Sequence, residues 1–154
     1  MENGLVEVEG FTAFVASARC TKTELGDTIS RLFHTIAESN PEAEMTGPPL
    51  IFYTLWEQDH CEIMAAMPVQ ANSEPQGSVQ KREFPGQTTY MMNHWGAYDS
   101  LHETWEKLWL EVKNLGLTPS GDPPYDRYVT DPSHEANKER WLTELYVPVA
   151  ITKI

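Results

Sequence analysis

Apolar residues recur along this chain with two different periods. In FTAFVASA (11–18) they alternate with small or polar ones, as on a half-buried strand. From about 23 to 39 the period lengthens: Leu25, Ile29, Leu32, Phe33 and Ile36 fall on one face of a helix. Thr21 with Glu24 has the spacing of a capping box, and Asn40-Pro41 ends the helical pattern. PLIFYTLW (49–56) and CEIMAAMPV (61–69) are then strands around the polar turn EQDH. The pattern repeats. GSVQKREF (77–84) turns at Pro85-Gly86 into TTYMMNHW (88–95). A helix follows over about 98–114, with Tyr98, Leu101, Trp105, Leu108, Trp109 and Val112 on one face and Gly116 at its C-terminal cap. YDRYVT (125–130) and RWLTELYVPV (140–149) are the last strands, separated by the polar insert DPSHEANKE.

At an offset of 76 positions Phe14 meets Tyr90, Leu25 meets Leu101, Ile29 meets Trp105, Leu32 meets Leu108 and Phe33 meets Trp109. Downstream, GPPLIFY (47–53) matches GDPPYDRY (121–128), and MPV (67–69) matches VPV (147–149). The chain therefore reads as a duplication within one domain, 1–154, with repeats of about 1–73 and 74–154 joined by the turn-rich QANSEPQGS (70–78). Each repeat reads strand, helix, strand, strand. The expected fold is α+β: a pseudo-twofold antiparallel sheet, two helices packed on it, and a central cleft suited to a ligand.

Composition narrows the functional classes. The 154 residues are 40% hydrophobic, enough for one packed domain, and the net charge is −12. That charge repels phosphate backbones, and the densest basic run is QKRE (80–83), so direct nucleic-acid binding is not expected. The two cysteines, Cys20 and Cys61, do not make a disulfide framework. The acidic start MENGLVEVEG is unlike a signal peptide, and no apolar run reaches the ~18–20 residues of a membrane span. A cytoplasmic protein without membrane partners is the reading. The five histidines show no metal spacing, and there is no phosphate loop or serine nucleophile elbow, so no cofactor is expected.

Taken in order, GPPLIFY and MPV, FPGQTTYMMNHWGAYDSL, LWLEVKNLGL, YDRYVTDP and TELYVPV resemble the GyrI-like (gyrase-inhibitor-like) small-molecule-binding domain, also called the bacterial transcription-activator effector-binding domain. The resemblance spans nearly the whole chain. It implies a cleft between two modules that binds lipophilic, often aromatic and cationic, molecules by aromatic stacking, with a buried acid facing the ligand's charge. The family's motif, of the type Trp-Glu-x-Tyr, is matched by Tyr125-Asp126-Arg127-Tyr128, with Asp one methylene shorter than Glu, and the tyrosine of the last strand is matched by Tyr146. Some stand-alone members hydrolyse cyclopropane-bearing alkylating natural products, and others inhibit gyrase. Transcriptional members add a DNA-binding domain, for which the two repeats leave no room, so a stand-alone member is expected. Haem-binding relatives exist, but no axial ligand is identifiable here.

Strand parity puts Asp126 and Tyr128 on one face and Tyr125 and Arg127 on the other. Asp126 either meets a ligand among aromatic groups or pairs with Arg127 or another surface cation. Its counterpart in the first repeat is Ile51, and that of Tyr128 is Tyr53. Tyr53, Tyr128 and Tyr146 could stack on a ligand. Met92 shares a face with His94, and Met91 with Trp95; Met92 and Trp95 are candidate ligand contacts, Trp56 a candidate on the cleft rim, and His94 a core hydrogen-bonding group. Trp105 and Trp109 are expected in the core. Asp126 and Tyr146 are the candidate catalytic pair. Glu62 and Glu144 are alternative acids, with exposure at a sheet edge the competing expectation. The leading function is binding of a lipophilic, aromatic small molecule. The alternatives are hydrolysis of cyclopropane-bearing alkylating compounds in the same cleft and a protein partnership with gyrase, as monomer or homodimer.

Overall fold

A computed structural model describes residues 3–150. The elements in chain order are β1 (Gly4–Val8), β2 (Phe11–Cys20), α1 (Leu25–Ser39), β3 (Leu50–Trp56), β4 (Cys61–Val69), β5 (Gln80–Phe84), β6 (Gln87–Trp95), α2 (Leu101–Asn114), β7 (Tyr125–Tyr128) and β8 (Leu142–Pro148). A 3₁₀ turn leads into each helix, at Lys22–Glu24 and Tyr98–Ser100. The fold is α+β, with antiparallel strands and two helices, and strand-strand-helix-strand-strand occurs twice along the chain. The sequence pattern missed β1: five residues with a single polar side chain, Glu7, carry too little alternation to stand out.

Two compact units make up the chain. The first is Glu9–Gly86; the second joins Met1–Val8 to Gln87–Ile154. Compactness thus draws its line elsewhere than the expected repeats would. β1 pairs with β6, and β5 pairs with β2.

In the first unit the strand order is β3-β4-β2-β5. Helix α1 packs on β2 and β4, burying Thr28, Leu32 and Ile36. Its start is fixed by Glu24, whose carboxylate accepts from the Thr21 backbone N–H at 3.0 Å and from the Thr21 hydroxyl at 2.8 Å. Its end is fixed by buried Asn40, which donates to the Ile36 carbonyl at 3.1 Å and accepts from the Gln76 N–H at 2.8 Å, tying the helix to the segment between β4 and β5. On the sheet face away from α1, Phe84 stacks on Phe11 at 4.8 Å and on Phe52 at 4.9 Å.

In the second unit the order is β1-β6-β8-β7. The core beneath α2 is Tyr90, Met92, Leu108, Val112, Leu145, Val147 and Val149, with Leu101, Trp105 and Leu117 packed against it. Just past the end of α2 comes Gly116, where φ is +71°. There the Leu117 N–H reaches the Val112 carbonyl and the Gly116 N–H reaches that of Lys113, both at 3.1 Å, a paired closure that needs the left-handed residue. Among the described residues, no helix is long and apolar enough to cross a membrane.

Candidate functional site

The chemistry-bearing side chains of the second unit lie on three neighbouring strands whose register decides which of them meet. On β7 and β8, Tyr125 faces Tyr146, Asp126 faces Leu145, Arg127 faces Glu144 and Tyr128 faces Thr143. On β6 and β8, Met91 faces Tyr146, Met92 faces Leu145, Asn93 faces Glu144 and Trp95 faces Leu142. Alternation sorts these into two sets. Asp126, Tyr128, Leu145 and Met92 point toward α2. Tyr125, Arg127, Glu144, Tyr146, Met91 and Trp95 point the other way.

Asp126 is completely buried. One carboxylate oxygen accepts from the Trp105 indole N–H at 3.0 Å, the other from the Tyr128 hydroxyl at 3.1 Å. The Tyr128 ring meets Tyr98 edge-on at 5.5 Å, and Tyr98 lies against Trp141 at 5.2 Å. Asp126 therefore does sit among aromatic groups, but beneath α2, fastened to a helix side chain. Met92 belongs to the same core. Buried His94 lies there too, its ring nitrogens 2.6 Å from the Thr104 hydroxyl and 2.9 Å from the Ala97 carbonyl, the hydrogen-bonded role expected of it.

The opposite face carries a different constellation. Tyr125 and Tyr146 stack nearly parallel, 12° apart, with ring centres separated by 4.8 Å. Beside them Glu144, 6% exposed, accepts on one oxygen from the Arg127 guanidinium at 2.7 Å and from the Tyr146 hydroxyl at 2.9 Å. Burial pushes the pKa of both phenols well above the ordinary tyrosine value. For Tyr146 the charge of Glu144 and the hydrogen bond to it push further the same way, while Arg127 opposes. For Tyr125 the charge of Tyr146 adds to burial. Both phenols hold their protons at neutral pH, and Tyr146 is the donor toward Glu144.

Edge exposure of Glu62 and Glu144 is not what the structure shows. β4 runs between β3 and β2, and β8 between β6 and β7, so both glutamates lie on interior strands. Glu144 is buried and Glu62 half-buried. A linear pattern identifies strands but not their lateral order. It did place Glu144 two residues from Tyr146, and hence on one face with it; the pairing with Arg127 needed the register.

The first unit holds the apolar counterpart of this constellation. Where the second pairs Tyr125 with Tyr146 and Arg127 with Glu144, the first pairs Leu50 with Ala66 and Phe52 with Met64. Ile51, opposite Ala65, stands where Asp126 stands, and both are completely buried. Tyr53 is half-buried and meets Trp56 edge-on at 5.7 Å. Trp56 is 53% exposed, and the Lys22 ammonium lies 4.7 Å from its ring centre. Trp95, 61% exposed, is on the Glu144 face of its own unit. Of the two helix tryptophans, Trp105 is half-buried, while Trp109 is 41% exposed and stacks on Trp105 at 6.5 Å. Placing Trp109 in the core was wrong, because α2 turns that side of its apolar stripe outward. Among the described residues, no three His, Cys, Asp or Glu side chains converge in a metal-binding group.

A family model, described as the GyrI-like small molecule binding domain, matches residues 1–150. The chain belongs to this family. The fold of this GyrI-like domain recurs in solved structures of low sequence identity. The C-terminal domain of EcmrR is 17% identical, with a TM-score of 0.84 and 98% of each chain covered. The domain spans 58% of the EcmrR chain seen in a DNA complex. SAV2435, solved bound to tetraphenylphosphonium, is 14% identical with a TM-score of 0.73, covering 97% of this chain and 94% of that one. A hydrolase encoded by lin2189 from Listeria innocua is 13% identical with a TM-score of 0.65, covering 97% and 92%. No curated protein sequence matches the chain.

Proposed function

We propose that this GyrI-like domain binds lipophilic, aromatic small molecules on the face of β6, β7 and β8 turned away from α2. The observation that carries the reading is the stacked Tyr125–Tyr146 pair beside the buried Glu144 carboxylate. Flat aromatic surface next to one fixed polar group orients an apolar ligand, and because Tyr125 and Tyr146 are 2% and 4% exposed, a ligand reaches them by parting the side chains that cover them. Trp95, exposed on the same face, extends the aromatic surface outward. Tyr146 and Trp95 keep the ligand-contact role. Asp126, Tyr128 and Met92 support the site from beneath. Tyr53 and Trp56, in the first unit, are aromatic candidates for separate alanine tests. The family description and the tetraphenylphosphonium-bound relative support a small-molecule ligand. Titrating the protein with lipophilic triphenyl compounds, read by tryptophan fluorescence and thermal shift, tests this. Saturable binding that Tyr146→Ala abolishes in a folded protein is expected. Binding that survives both Tyr146→Ala and Trp95→Ala would place the ligand elsewhere.

A second reading, hydrolysis, is favoured by the 2.9 Å hydrogen bond from Tyr146 to Glu144. In it Glu144, rather than Asp126, takes a proton from the attacking water. Tyr146 gives one to the oxygen that receives the electron pair as a strained carbon–carbon bond opens. A hydrolase among the structural relatives supports it. Incubation with cyclopropane-bearing compounds should then give products heavier by one water, and Glu144→Gln should stop their formation. Binding without any such product would leave the binding reading alone.

A further inference from the structure

The resemblance to multidrug-binding relatives leads one to expect a buried acid that attracts cations. On the proposed ligand face the acid is Glu144 rather than Asp126, and it already has its cation. The Arg127 guanidinium, on the neighbouring strand and in register with Glu144, donates to it at 2.7 Å. The Tyr146 hydroxyl donates to the same oxygen, so the carboxylate is engaged both by charge and by hydrogen bonding. We infer that Arg127 determines ligand specificity: it makes the tyrosine-lined face electrically neutral, so that the domain selects uncharged lipophilic ligands over lipophilic cations. The inference rests on the proposal that this face is the ligand site.

Three physical points carry it. A cation beside Glu144 would meet Arg127 as a like charge on a largely dry surface, where repulsion is screened less than in water. Displacing Arg127 does not solve the problem. Its guanidinium, with a side chain 37% exposed, can swing toward solvent, but Glu144, with a side chain 7% exposed, would lose a charge-assisted hydrogen bond. A phosphonium or quaternary ammonium ion carries no N–H to replace that bond. The third point is positional. Register sets Arg127 on β7 directly opposite Glu144 on β8, where the carboxylate is.

A neutral ligand with a hydrogen-bond acceptor leaves the ion pair intact and can take one of the remaining guanidinium N–H groups. Suitable probes are triphenylphosphine oxide and methyltriphenylphosphonium, which share three phenyl rings on phosphorus and differ in charge. Calorimetric or fluorescence titration of the whole chain should show the oxide binding about tenfold or more tightly than the cation. Arg127→Met should reverse the order, the cation gaining about tenfold because Glu144 is uncovered. Arg127→Lys should keep the wild-type preference, and Arg127→Met with Glu144→Gln should lose the gain. Equal affinity for both probes in the wild type, or an Arg127→Met ratio that does not move, would overturn the charge argument while leaving the ligand site standing. If neither probe binds the wild type or any variant, the ligand-site reading itself fails, and the specificity argument with it.

Discussion

Asp126→Ala separates a structural acid from a ligand-facing one. The wild-type carboxylate is fully buried and accepts from the Trp105 N–H at 3.0 Å and the Tyr128 O–H at 3.1 Å. A hydrogen bond contributes about 0.5–1.5 kcal/mol, and a buried donor left without its acceptor costs about 1–3 kcal/mol. Trp105 and Tyr128 are both half-buried, so water can recover part of that loss. The expected destabilisation is about 3 kcal/mol, or a fall in Tm of about 6–12 °C for a domain of this size. Urea unfolding followed by tryptophan fluorescence and circular dichroism measures it. Combined with Trp105→Phe, the double mutant should be less destabilised than the sum of the singles by about 1–2 kcal/mol, because the partners share one bond. Replacing Asp126 by Ile together with Trp105→Phe and Tyr128→Phe copies the apolar solution at Ile51 and should recover most of the stability. A loss below about 1 kcal/mol, or strict additivity with Trp105→Phe, would refute the structural role. Loss of ligand binding in a stable, folded Asp126→Ala protein would restore Asp126 as the acid that faces the ligand.

The remaining predictions concern alkaline stability, helix termination and thiol access. Burial first, then the neighbouring charge, raises the phenols of Tyr125 and Tyr146 above their ordinary value of 10.0, so the folded state holds protons that the unfolded state releases. Stability should be intact below about pH 10 and fall as pH rises beyond it; Tyr146→Phe should flatten that fall, and a pH series of urea denaturations in which it does not would count against the burial argument. Gly116→Ala should cost about 1 kcal/mol through backbone strain alone, since φ is +71° and nothing lies within 4 Å of an added Cβ; an unchanged Tm would contradict this. Cys61 is buried 3.8 Å from the Cys20 sulfur, and burial raises its thiol to about 11. Native protein at pH 8 should therefore react with a thiol reagent far more slowly than unfolded protein, and equal rates would show that the strand end opens readily.

Much of this architecture is legible in the amino-acid order because local physics repeats. Leu25, Leu32 and Ile36 fall at helical spacing, and α1 buries Leu32 and Ile36. Thr21 and Glu24 start the helix, Asn40 and Gly116 end helices, and each acts through groups within a few residues of itself. Parity along YDRY separated Asp126 from Arg127 in the same way, since a strand alternates whatever its partners are. β1 escaped notice because five residues alone carry little pattern, and their place is decided by pairing with β6 across some eighty positions of chain.

What the sequence by itself determined is therefore the α+β class, the two helices and the alternation of faces along strands such as YDRY, all consequences of short-range periodicity. Only the tertiary structure decided what holds each acid. Asp126 and Glu144 sit in similar strands, and the sequence pattern favoured Asp126 as the ligand-facing one. Lateral strand order put β8 in the interior, helix placement covered Asp126, and register set Arg127 and Tyr146 against Glu144. Those are contacts between residues far apart in the chain, and no local preference encodes them. They are fixed by how the apolar faces of whole elements are buried together.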